Sequence, residues 1–252
     1  MTIERCIARA VSKPWGSHDL APWSQTSAQE NAIGEIWFER KSPFAQSSAL
    51  LLKLLFTKQP LSIQVHPDDD MARSMGFPHG KTEAWYILSA DPGSQVAIGL
   101  KEPLSNDALR KSVEDGSIAN RMHWHPAVSG DFHFLPAGTI HAIGAGIILA
   151  EIQQRSDVTF RLFDYGRGRE IHADQAIAAM HSAPVFAGPR RLDSNRQILV
   201  ADAHFVLEKL ELSSDARWDI HAKRESWILV LSGDCTVGGV GVPKRATLCL
   251  DA

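Results

Sequence analysis

Cysteine is scarce in this sequence. Cys6, Cys235 and Cys249 are the only three among 252 residues. They are odd in number, far apart, and never arranged as C-x-x-C, which argues against a disulfide framework and against a cysteine-built zinc site. Reduced thiols and a cytoplasmic location are the expectation. There is no excess of either charge. The 26 basic and 29 acidic side chains leave a formal charge of −3, so no nucleic-acid partner held through bulk charge is expected. Long apolar runs are missing too. The longest, Ala49–Phe56, is interrupted by Lys53 and is too short to span a bilayer, so no membrane partner is expected. Met1–Ala10 has no apolar core segment, and no secretory leader is expected. With 44% hydrophobic and 22% charged residues, the composition is that of a folded globular chain long enough for one or two domains.

Helical signals are few. Asp68–Met75 follows Pro67 with acidic residues in its first turn, Ser105–Asp115 has Ser105 as its cap, and Asp174–His181 is short and apolar. Strand signals dominate: Ala49–Thr57, Leu61–His66, Glu83–Ser89, Ser94–Gly99, Phe132–Leu135, Ile147–Gln153 and Val158–Phe163, punctuated by turns such as Asp91-Pro92-Gly93. Many short strands with regular turns predict a β-sandwich or barrel. Pro184–Asp193 is a break rich in Pro, Gly and Arg. Beyond it, His204–Leu212, Ser226–Leu231 and Cys235–Val237 read as further strands.

One local pattern is specific. Gly130-Asp-Phe-His-Phe-Leu-Pro136-Ala-Gly138-Thr-Ile-His141 predicts a strand, a tight Pro–Gly turn and a return strand that turns one histidine inward. It is similar to the second motif of the cupin superfamily. Upstream, Gln64 and His66 stand at i and i+2 of one strand, hence on one face, among the apolar Leu61, Ile63 and Val65. Glu83 opens the strand EAWYILS. Two histidines and a glutamate, with Gln64 in support, suit a divalent metal that keeps an open position for water or substrate. The competing reading is that His66 and His141 are separately satisfied core histidines.

Other histidines carry less. His123-Trp-His125 has the spacing of a metal pair but precedes Pro126 in a loop-like stretch, and surface or packing roles are expected. His133 faces opposite to Phe132 and Phe134. His221 and Glu225 echo the metal motif without a second Pro-x-Gly-x-x-His, so no metal is expected there. Among the cations, Lys81 falls on the face of Glu83 if the strand extends back to it. Asp157 and Arg161 share one side of a strand if that strand is regular. Charges placed so near metal-binding histidines are costly unless they face a wet cleft.

The ordered segments Gln64-Val-His66-Pro-Asp-Asp, Gly80-Lys81-Thr-Glu83-Ala-Trp-Tyr-Ile, Pro136-Ala-Gly-Thr-Ile-His141-Ala and Glu151-Ile-Gln-Gln-Arg-Ser-Asp157-Val-Thr-Phe-Arg161-Leu-Phe-Asp-Tyr-Gly resemble the type I mannose-6-phosphate isomerases, in particular their shorter bacterial branch. Lys13-Pro-Trp-Gly16 and Gly34-Glu-Ile-Trp37 add to the resemblance, which covers about residues 10–185. It implies a mainly β cupin fold (a double-stranded β-helix, or jelly roll) with a few short helices. A catalytic domain would span 1–183 and a truncated cupin-like β region 184–252. It implies one Zn²⁺ per chain held by Gln64, His66, Glu83 and His141, Arg161 as catalytic arginine, and Lys81 and Asp157 as proton- or substrate-handling residues, with the base left open between them. The implied reaction interconverts mannose 6-phosphate and fructose 6-phosphate through an enediol. The alternatives are an isomerase or epimerase for another sugar phosphate, or a metal-bearing sugar-phosphate-binding protein without turnover. Arg155, Arg167 and Arg169 are candidates for the phosphate. The family's shorter members carry a fuller C-terminal half. Strand edges left exposed in the shorter region invite a second copy, so monomer or homodimer is expected.

Overall fold

The structure is a computed structural model that describes residues 3–24, 31–41, 48–181, 188–214, 216–218 and 224–250. Its elements, in chain order, are β1 (Ile3–Arg5), β2 (Ile7–Ser17), β3 (Ile33–Glu39), β4 (Leu50–Thr57), β5 (Ile63–Val65), α1 (Asp69–Ser74), β6 (Glu83–Ala90) and β7 (Gln95–Leu100). Next come α2 (Asn106–Glu114), α3 (Ile118–Arg121), β8 (Met122–Pro126), β9 (Phe132–Leu135), β10 (His141–Ile143), β11 (Ile147–Gln154), β12 (Phe160–Phe163) and α4 (Ala173–Ala179). The remainder is β13 (Arg190–Arg191), β14 (Arg196–Ala201), β15 (Val206–Leu210), β16 (Ser226–Leu229), β17 (Cys235–Val237), β18 (Val240–Val242) and β19 (Thr247–Leu250).

Two antiparallel sheets build the sandwich. One has six strands in the order β2-β3-β4-β11-β6-β9, the other five in the order β12-β5-β10-β7-β8. Strand alternation assigns each side chain to a layer. Ile63 and Val65 of β5 pack outward with Phe160 and Leu162 against α2, α3 and α4, while Gln64 between them points inward. Leu52, Leu54 and Phe56 of β4 join Ala150 and Ile152 of β11 on the outer face of the larger sheet, against Leu199, Val200 and Phe205. Between the sheets lies a third cluster that includes Trp15, Leu55, Trp85, Ile87, Val96, Leu135, Ile143, Ile147 and Leu149. Because β4 is covered on both faces, its sequence reads as one apolar run rather than an alternation.

The inner face of β11 runs Ile147, Leu149, Glu151, Gln153, all buried. The interior of the sandwich therefore has a dry end and a polar end, and the polar end holds the candidate site.

The helices are capped as their sequences direct. Asp68 accepts from the Met71 N–H at 2.9 Å and Ser105 from the Ala108 N–H at 3.2 Å. Two expectations change. The His123–His125 stretch is not a loop but the edge strand β8, with His125 in register with Val96 of β7. Tertiary pairing overrides its weak local pattern. Asp157 is not on a regular strand with Arg161, because β12 begins only at Phe160. The break placed at Pro184–Asp193 lies outside the described residues over 184–187, as does His221. β1 pairs with β19, which also pairs with β16, so the start and the end of the described chain share one sheet. Among the described residues, no helix is long and apolar enough to cross a membrane.

Candidate metal centre

Cross-strand register assembles the polar end of the sandwich. In the five-stranded sheet Gln64 is directly opposite His141 on one side and Arg161 on the other, so the three form one row. His66 follows β5 immediately. Facing them from the larger sheet is Glu83, in register with Gln153. The turn that delivers His141 is tied to this row, since the Gly138 N–H donates to the His66 carbonyl at 2.8 Å. Gly138 has φ +84°, and a Cβ there would run into the His181 ring.

His66, Glu83 and His141 are buried, and their ligand atoms all lie within 4.8 Å of one another. Among the described residues they form the only group of three or more such side chains. The histidines are held in matching tautomers. His66 Nδ1 donates to the Val158 carbonyl at 2.9 Å, and His141 Nδ1 donates to the Thr139 carbonyl at 2.8 Å. Both therefore present a bare Nε2 inward, which is how second-shell carbonyls orient metal-binding imidazoles. Burial pushes both rings below the ordinary histidine range, His141 to about 4. They are neutral at pH 7, as a ligand must be.

This geometry needs a positive charge. His141 Nε2 stands 3.4 Å from Glu83 Oε1, and His66 Nε2 stands 3.5 Å from Glu83 Oε2. Each pair sets two lone-pair-bearing atoms against each other. Glu83 Oε1 is buried without a hydrogen-bond partner among the described residues. Such contacts are favourable only with a cation among them. The Lys81 ammonium meets part of that demand, donating to Glu83 Oε2 and standing 3.1 Å from His66 Nε2. Gln64 is the weaker member. Its amide nitrogen, not its oxygen, faces His141 Nε2 at 3.3 Å, while its oxygen accepts from Ser62 at 3.1 Å.

Behind the ligands runs a buried chain of alternating charge. Glu151 Oε1 lies 3.8 Å from Lys81 Nζ and 3.5 Å from Lys53 Nζ, and its other oxygen accepts from the Trp85 indole at 3.2 Å. Lys53 Nζ also lies 3.8 Å from Glu35, 3.9 Å from Asp157, and 4.6 Å above the Trp37 ring. Burial favours the neutral amine of Lys81, but Glu151 and Glu83 outweigh it and hold its pKa above the ordinary lysine value. Burial, then the Glu83 charge, raise Glu151.

Of the residues singled out from sequence, the structure brings Gln64, His66, Lys81, Glu83 and His141 together, and sets Arg161 opposite Gln64 on the neighbouring strand with its guanidinium on the Glu170 carbonyl. Lys81 faces Glu83 although β6 starts only at Glu83. Asp157 stands at the margin, its side chain 62% exposed. Of the phosphate candidates, Arg167 and Arg169 both clasp Asp164. Arg155 keeps Nε and Nη2 buried without partners among the described residues. His123 and His125 meet as tilted rings, centroids 4.2 Å apart, and Glu225 accepts from the Ala49 N–H and the Trp227 indole. Sequence reasoning missed Lys53, Glu35 and Glu151 as parts of the site. The signal was present as a single charge inside each of the apolar runs LLLKLL and ILAEI.

No protein-family model matches the chain. It is 33% identical over 201 residues to mannose-6-phosphate isomerase of Streptococcus mutans, a match covering 73% of this chain and 63% of that protein. It is 30% identical over 228 residues to the probable mannose-6-phosphate isomerase GmuF of Bacillus subtilis, covering 83% of this chain and 71% of that one. It thus spans less than two thirds of the length of the first relative. In fold it matches mannose 6-phosphate isomerase from Bacillus subtilis with a TM-score of 0.82 at 22% identity, over 100% of this chain and 94% of that one. A zinc-bound mannose 6-phosphate isomerase matches at TM-score 0.69 and 13% identity, over 100% and 95% of the two chains. The length and identity of the match to the second relative, on a cupin fold with this cation-seeking centre, establish that the chain belongs to the type I mannose-6-phosphate isomerase family.

Proposed function

We propose that the protein is a zinc-dependent aldose–ketose isomerase that interconverts mannose 6-phosphate and fructose 6-phosphate. The observation that carries this reading is the pairing of two neutral, tautomer-locked imidazoles with one buried carboxylate, beside an arginine in the same cross-strand row. His66, Glu83 and His141 would hold the metal. Gln64 would join by turning its amide over, which sets its oxygen toward His141 and its NH2 against the Ser62 hydroxyl, now the acceptor. The donor set of nitrogen and carboxylate oxygen suits zinc. Zinc, when bound, supplies Lewis-acid polarisation of the sugar oxygens.

The remaining roles belong to this chain's own groups. Moving a proton between C1 and C2 passes through an enediol whose oxygens carry developing negative charge. Arg161 answers that charge. Its Nη1 is fixed on the Glu170 carbonyl at 2.8 Å, and its Nε is buried without a partner among the described residues. Lys81, kept protonated by Glu151 and Glu83, acts as proton donor. Asp157, exposed at the margin, acts as base. A coupled assay of mannose 6-phosphate turnover, run before and after chelation and again after zinc is returned, tests the reading. Turnover lost with the chelator and restored by zinc supports it. Stoichiometric metal without turnover refutes the named reaction.

A further inference from the structure

Arg161 sits on β12, the edge strand of the five-stranded sheet. Every second residue of an antiparallel edge strand directs its N–H and C=O away from the sheet, and these normally go to water or to another chain. Here both go to one residue. The Arg161 N–H donates to His172 Nδ1 at 3.2 Å, and the His172 N–H donates to the Arg161 carbonyl at 2.7 Å. His172 thus acts as a strand one residue long, its ring nitrogen replacing the missing carbonyl. The same segment takes the guanidinium, through the Glu170 carbonyl. His172 also precedes α4, yet its side chain caps none of that helix's N–H groups. The helix in turn is anchored, with Ala176 and Ala179 buried among Ile63, Val65, Phe160 and Leu162.

We infer that His172 is a positioning residue for Arg161: it closes the open edge of β12 and so fixes the backbone that carries the guanidinium beside Gln64. The inference rests on the isomerase reading for its effect on turnover, but not for the clamp itself. A strand edge free to shift by about 1 Å carries its side chain with it, and a displacement of that size can cost about a hundredfold in rate. Because Arg161 would answer charge present only in the transition state, the loss falls on kcat and leaves KM unchanged.

Two substitutions and two readouts test this. His172→Ala removes the acceptor, and His172→Asn returns one near the position of Nδ1. Amide exchange of Arg161, followed by NMR, is expected to be protected in the parent and in His172→Asn and fast in His172→Ala. The kcat for mannose 6-phosphate is expected to fall about ten- to a hundredfold in His172→Ala at unchanged zinc content, and to recover most of that loss in His172→Asn. An Arg161 amide equally protected in His172→Ala overturns the clamp. So does an equal loss of kcat in both variants, which marks a general structural role. If the parent itself turns over no mannose 6-phosphate, the isomerase reading fails, and the Arg161 amide still decides the clamp.

Discussion

Lys53 offers the sharpest test of the buried charge chain. It is 2% exposed in the middle of the six-stranded sheet, with Glu151 at 3.5 Å and Glu35 at 3.8 Å. Replacing it by methionine keeps the length and most of the volume and deletes the charge. At an effective dielectric of about 20, the contacts of 3.5 and 3.8 Å are worth about 5 and about 4 kcal/mol of attraction. The mutant no longer desolvates an ammonium, which returns several kcal/mol, and it leaves two buried carboxylates short of a partner. The net cost expected for breaking such a pair is about 3–5 kcal/mol. For a chain of this size, each kcal/mol moves Tm by about 2–4 °C, so Lys53→Met should melt roughly 6–20 °C below the parent at neutral pH.

The difference should also depend on pH. Burial opposes ionised Glu35, but Lys53 and then Lys13 outweigh it and hold its pKa below the ordinary glutamate value of 4.5. A depressed carboxylate contributes stability that is present above its unfolded value and lost as pH falls through its folded value. Burial and Glu83 already raise Glu151, and loss of Lys53 raises both carboxylates further in the mutant, so the Tm gap should be largest at neutral to alkaline pH and narrow progressively on acidification through the glutamate range. Calorimetric melts at several pH values measure it. A gap under 2 °C, or one that does not change with pH, would refute the reasoning.

Three further outcomes are expected. Burial pushes His141 to about 4 and His66 well below its ordinary range, so zinc affinity measured against a chromophoric chelator should not suffer imidazole competition from pH 8 to 6 and should weaken toward pH 4; a steep fall between pH 7 and 6 would contradict this. Arg161→Ala should lower kcat for mannose 6-phosphate by about 10²–10³-fold, as loss of one charge-stabilising donor group does, with zinc content by elemental analysis unchanged. Gly138→Ala places an L-residue at φ +84° and displaces His181, so urea unfolding should show a loss of about 1–3 kcal/mol.

Much of this protein was legible in the linear chain. Short strands and tight turns specify a β-sandwich, because strand periodicity and turn chemistry are local properties. Gln64 and His66 could be picked out because they are polar residues on one face of an apolar strand and such residues need partners, His141 because it ends a Pro–Gly turn motif, and Glu83 because it opens an apolar strand. The caps at Asp68 and Ser105 followed from the same local logic, and the structure holds both. What tertiary structure alone decided is which groups meet. His123–His125 became a strand only because β7 offers it an edge. Asp157 left the strand of Arg161 because pairing with β5 begins at Phe160. Lys53, Glu35 and Glu151 lie on three strands, and their charges come together only through the register of β3, β4 and β11. The clamp of His172 on Arg161 likewise depends on α4 packing beside an open sheet edge. Local pattern shows that a buried charge must be answered; the long-range pairing of strands determines which residue answers it.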